Sequence, residues 1–174
     1  MFALDRWFGL MTSEGNLAVL PELWGDPIFR MNDGACGPGL RFSFGTMAFD
    51  TGTHAGRMYR LNADPAATVV LDALTFSNGL VFTSDGRHAI YIDSASQQIH
   101  QHLAPADGSR WADLRRLGRW TVHWAKPDGL CPDRVGGIRV ALWGGRTVYR
   151  HDALGALTDV TRVPVSQVTA CALV

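Results

Sequence analysis

The sequence is poor in the features that would place it in a membrane, on nucleic acid or around a thiolate-bound metal. No apolar run reaches the roughly 18 residues of a membrane-spanning helix. Its 16 basic and 16 acidic side chains cancel, which argues against a broad nucleic-acid or membrane surface. Its 3 cysteines, Cys36, Cys131 and Cys171, form no CxxC pair, so a zinc–thiolate site is not expected. They read as reduced thiols of a cytoplasmic protein. The 6 histidines include no HxxxH or HExxH pattern, and His123, His54, His88 and His151 stand alone. His100 and His102 share one strand face but lack a further partner in sequence, so they read as solvated. The opening MFALDRWFGLM breaks its apolar stretch with Asp5 and Arg6. That is unlike a secretory signal and again points to the cytoplasm.

What is present is a globular composition, 47% apolar and 18% charged, with 19 glycines. Residues 1–174 read as one all-β domain. Short aromatic and β-branched runs alternate with Gly, Asp, Asn and Pro punctuation. Expected strands include 17–20, 40–45, 56–61, 68–71, 79–83, 89–92, 98–102, 139–142, 147–151 and 158–160. Turns are expected at 62–65, at Asp85-Gly86 and at Asp107-Gly108. Residues 109–119 carry a charge mixture that suits a helix or a surface loop.

One element occurs three times, as NDGACGPGLRFSFGTM, SNGLVFTSDGRHAIYIDS and PDGLCPDRVGGIRVALWGG. Asn32, Asn78 and Asp128 take equivalent places, 46 and 50 residues apart. That interval is close to the roughly 40–50 residues of a four-stranded propeller blade. A propeller brings equivalent points of successive blades to its central channel, so three oxygen-bearing side chains converge. Such ligands suit a hard cation. An Asn-Gly or Asp-Gly step is also an ordinary turn device, and spacing alone does not separate the two readings.

The ordered set FRMNDG, FGTM, GRMYRL, SNGL, SDGRHAIYIDS, PDGL, VALWGG and PVSQVTACA resembles the senescence marker protein 30 (regucalcin), gluconolactonase and luciferin-regenerating enzyme family over residues 17–172. The resemblance implies a β-propeller of the six-bladed lactonase type with one central divalent cation. Calcium is the first expectation; zinc, manganese and magnesium are alternatives. It implies metal ligands at Asn78 and Asp128, with Asp128 also the general base, and substrate contacts from Arg30 and Asn32. The substrate implied is a small-molecule sugar lactone. Asp93 is a candidate supporting acceptor, or simply a strand-end aspartate. Trp124 and Trp143 could wall the pocket, although burial in a blade core is the commoner fate of tryptophan.

The family's N-terminal glutamate ligand has no counterpart here. Six blades at roughly 45 residues need about 270 residues, so only three to four blades are expected, as though both ends were truncated. Two ligands imply weaker cation binding than the six to eight oxygens of a full calcium site. Open blade edges would favour self-association. A non-catalytic propeller acting as an interaction module or calcium-binding protein is the alternative to a lactone hydrolase.

Overall fold

The computed structural model describes residues 2–62, 66–120 and 124–173. His123 and three residues of the turn expected at 62–65 lie outside the described residues. The short strands β1 (Phe2–Leu4), β2 (Trp7–Met11) and β3 (Leu17–Val19) make one sheet. Three four-stranded antiparallel sheets follow, each built from consecutive strands. The first holds β4 (Phe29–Cys36), β5 (Phe42–Ala48), β6 (Gly56–Leu61) and β7 (Ala67–Leu74). The second holds β8 (Ser77–Phe82), β9 (His88–Asp93), β10 (Gln98–Leu103) and β11 (Ala112–Arg119). The third holds β12 (Lys126–Pro132), β13 (Ile138–Trp143), β14 (Thr147–His151) and β15 (Leu157–Arg162). This is the expected partial propeller: three complete blades and a three-stranded sheet.

The hydrophobic core lies between blades. Phe8, Met31 and Phe44 fill the first interface, where Phe8 meets Phe44 edge-on at 5.1 Å and Tyr59 stacks on Phe44 at 5.4 Å. Met58, Val70, Leu80, Tyr91 and Trp111 fill the second. Ile90, Ile92, Ile99, Trp120 and Val140 fill the third. A middle strand therefore has a blade against each face. The sequence HAIYID of β9 accordingly buries four successive residues, and strand alternation disappears there.

The expected strands are present to within a few residues, and 56–61 and 147–151 match in full. Residues 109–119 are a correction: Ala112–Arg119 is the outermost strand β11, neither a helix nor a loop. The other two turn expectations hold. Gly86 and Gly108 have φ of 67° and 90°, and the preceding aspartates accept hydrogen bonds from the Arg87 and Ser109 amides. Among the described residues, no helix is long and apolar enough to cross a membrane.

Candidate functional site

The three recurring polar-Gly steps are not turns leading into strands. They are irregularities inside the innermost strands. The pairing register slips between Met31 and Gly34 in β4, between Asn78 and Leu80 in β8, and between Pro127 and Leu130 in β12. A bulge unpairs a residue and re-aims its side chain. Here it turns the same position of three neighbouring blades toward one cleft. The glycines permit this crowding. A Cβ at Gly79 would lie 2.5 Å from the Asp128 carbonyl oxygen, and one at Gly129 would lie 2.5 Å from that of Thr169. Each glycine thus lets the next inner segment approach.

The cleft has a volume of about 440 Å³ and is lined by Arg30, Asn32, Asp33, Phe76, Asn78, Asp128, Thr169 and Ala170, among others. All four residues singled out from sequence are therefore brought together. Arg30 Nη1 donates to Asn32 Oδ1 at 2.7 Å and to the Met31 carbonyl at 3.0 Å. Asn32 Nδ2 donates to Asn78 Oδ1 at 3.1 Å and to the Ser77 carbonyl at 2.7 Å. Asn78 Nδ2 donates to Ser94 Oγ at 2.9 Å, and Ser94 Oγ donates to the Pro127 carbonyl. Because the Ser94 proton goes to Pro127, its lone pair must receive the Asn78 amide nitrogen. That orientation leaves Asn78 Oδ1 on the Asn32 side with one lone pair unused. A continuous polar chain thereby ties β4, β8 and β12.

Asp33 and Ser94 were not anticipated as members of this site. In a regular strand, Asp33 would face away from Asn32; the bulge puts both at the cleft. Burial raises the Asp33 carboxyl above the usual range, against the opposing pull of the Gly34 amide. Burial also pushes Asp128 up to about 6, with the Gly129 amide opposing and the Asp33 charge adding to the rise. No cationic side chain among the described residues forms a salt bridge with either carboxylate.

Asp93 works as a strand-end tie. It accepts from the Thr75 and Phe76 amides at 2.7 and 3.1 Å, which fixes Phe76 at the cleft wall. Trp143 lines the cleft's flank beside Asn78, Ser94 and Asp128, whereas Trp124 does not line it. Both are exposed, so burial in a blade core is not their role; Trp111 and Trp120 are the buried ones. Cys131 and Cys171, far apart in sequence, have sulfurs 3.6 Å apart and are not joined by a disulfide.

Consecutive four-stranded sheets around a polar centre define the class as a β-propeller. The family described as SMP-30/Gluconolactonase/LRE-like region matches residues 1–174, and the chain belongs to it. It is 35% identical to the L-arabinolactonase of Azospirillum brasilense over 83% of this chain and 49% of that protein. The luciferin-regenerating enzyme structure superposes with a TM-score of 0.88 at 25% identity, over 97% of this chain and 60% of that one. The calcium-binding protein regucalcin from Agrobacterium tumefaciens superposes with a TM-score of 0.87 at 27% identity, over 97% and 58%. The chain spans about half the length of the sequence relatives it matches.

Proposed function

We propose that the cleft is the core of a cation-dependent lactone-hydrolase site, with Asp128 as general base. The observation that carries this reading is the meeting of Arg30, Asn32, Asn78 and Asp128 in one cleft. Relatives named as a lactonase and as a calcium-binding protein support it.

The residues present fit a hard divalent cation. Their donors are oxygens: the free lone pair of Asn78 Oδ1 and the carboxylates of Asp128 and Asp33. Two half-buried carboxylates with no paired cationic side chain among the described residues are the charge arrangement that a dication relieves. Asn78 and Asp128 would hold it. Calcium matches this oxygen set; zinc, manganese or magnesium are tested beside it. When bound, the cation would supply electrostatic stabilisation of the oxygen that gains charge as a lactone carbonyl is attacked.

The chain's own residues do the rest. Arg30 is held by Asn32, the Met31 carbonyl and a 3.1 Å contact from Nη2 to Met47 Sδ. So fixed, it presents its remaining donors to substrate oxygens with little ordering cost. Asn32 sits beside it; its two amide hydrogens are already donated to Ser77 and Asn78, so it offers the second lone pair of Oδ1 to a ring hydroxyl. Asp128 accepts the proton of the attacking water. The carbonyl carbon–ring oxygen bond then breaks, and the proton is returned to the departing oxygen to give the open hydroxy acid.

The test is hydrolysis of a sugar δ-lactone, followed as acid release, with calcium, zinc, manganese or magnesium and with EDTA. Asp128→Asn keeps an oxygen donor but removes the proton acceptor. It should lower turnover by about 10²-fold or more. Asn78→Ala should weaken cation affinity and be partly rescued by excess cation. Activity that survives EDTA, or is unchanged in Asp128→Asn, overturns the mechanism. Cation binding without turnover under any of the four metals would favour a binding module instead.

A further inference from the structure

A second group of ligating side chains lies on the outer half of the middle blade, away from the innermost strand that carries Asn78. His100 and His102 alternate along β10 and so share one face. In the register, His102 stands directly opposite Asp113 on β11, and slips flank both histidines, between Ile99 and His100 and between Gln101 and His102. His100 Nδ1 is 3.2 Å from Asp113 Oδ1, and His102 Nδ1 is 4.0 Å from the same oxygen. One ligand atom from each of the three residues lies within 4.8 Å of the others. The rings are nearly parallel, at 22° with centroids 5.9 Å apart.

The hydrogen-bond pattern around these atoms is incomplete. The His102 side chain is 8% exposed, and its Nδ1 is buried with no hydrogen-bond partner. A buried polar atom left in this way is costly and calls for a partner. His100 Nε2 is 3.0 Å from Gln98 Oε1. His100 Nδ1 is hydrogen-bonded to Asp113 Oδ1, and a metal ion would take the place of the proton between them while Gln98 Oε1 accepts from Nε2–H, the arrangement seen around metal-bound imidazoles. Two imidazole nitrogens and a carboxylate oxygen thus converge, and metal binding would displace the proton that His100 and Asp113 share. His102 is buried, packed against the rings of Tyr91 and Trp111.

We propose that His100, His102 and Asp113 form a site for a zinc-class divalent ion, independent of the oxygen-lined cleft. Two nitrogens and one carboxylate match the ligand preferences of zinc and not those of calcium or magnesium. Ligands at about 2.0–2.1 Å in tetrahedral array stand roughly 3.3 Å apart. The 3.2 Å pair already meets this; the 4.0 Å pair closes by a small rotation of the exposed Asp113 side chain, and the two imidazole nitrogens, within 4.8 Å of each other, draw together around the ion. Water completes the coordination. The ion would clip the outermost strand β11 to β10, where backbone pairing is interrupted twice.

The experiment is calorimetric titration of the EDTA-stripped, dialysed 174-residue chain with zinc chloride, in saturating calcium so that the cleft is occupied. Cobalt absorption is the spectroscopic readout. One zinc per chain should bind, with cobalt bands typical of a tetrahedral nitrogen–oxygen site. His100→Gln and Asp113→Asn, both at accessible side chains, should each weaken it by about 10-fold or more. Asp128→Asn should leave it unchanged. Circular dichroism checks that each variant is folded, which covers the buried His102→Gln as well. Zinc binding unaltered in both accessible variants, zinc binding lost in Asp128→Asn, or no binding at millimolar zinc overturns the proposal.

Discussion

The innermost strand β8 and the outermost strand β15 are the same length and share the same antiparallel blade geometry, yet polar residues do opposite things on them. In β8, Asn78 is buried and is wired through Ser94 to the Pro127 carbonyl of the next blade. In β15 every residue is exposed, and Asp159 meets Arg139 only at 3.5 Å. The inner polar groups must find protein partners because water does not reach them freely. The outer ones have water as an equal alternative. Polar side chains in a blade are therefore structural on the axis side and dispensable on the rim.

That contrast is open to direct attack. The largest effect is expected from Ser94→Ala, which strands the Asn78 amide and the Pro127 carbonyl together. Each group left unpaired costs about 1–3 kcal/mol, readable as a lowered urea midpoint. A change as small as that of a rim variant would refute the claim that the inner network carries stability.

A mid-sized effect is expected from Asp128→Asn, and it depends on pH. The folded pKa of Asp128 lies near 6, above its ordinary value of 3.8. Its contribution to stability is therefore fully present below the ordinary value and is lost as pH rises through about 6. Without cation, the variant should melt above the parent at pH 7, and the difference should shrink toward pH 4. Saturating cation should reverse the order at pH 7, because the parent alone retains the full ligand set. Identical melting curves at every pH would mean that the carboxylate is solvated.

The smallest effect is expected from Asp159→Asn on the rim, within about 0.5 kcal/mol of the parent. A larger loss in the same urea experiment would erase the distinction between axis and rim.

The contrast also explains what was legible in the sequence. Middle strands such as 56–61 announce themselves by composition. β11 does not: its first residues are exposed on both faces, so nothing imposes an alternation on ADLRR. The repeat spacing revealed the convergence of Asn32, Asn78 and Asp128, but not the bulges that produce it. A bulge is specified by the approach of the neighbouring inner strand, which no local window contains. Asp33 was missed for that reason. Asp113 joins His100 and His102 only through hairpin register, and Cys131 meets Cys171 only through the return of the chain's last segment.

That returning segment has a temporal consequence. Beyond β15 the chain leaves the rim and runs back beside β12 and β13. There the Gly129 amide donates to the Thr169 carbonyl and the Gly144 amide to the Ser166 carbonyl, both at 2.9 Å. Each blade is a series of hairpins between near neighbours, which close quickly. The return instead joins residues as much as 40 positions apart, such as Cys131 and Cys171, and must wait for that longer loop to close. The cleft wall at Thr169 and Ala170 is thus expected to dock after the hairpins of the third blade have formed. The amides of Gly129 and Gly144 should gain protection from hydrogen exchange after those of the β8–β9 hairpin, and be the first to lose it when the blades begin to loosen.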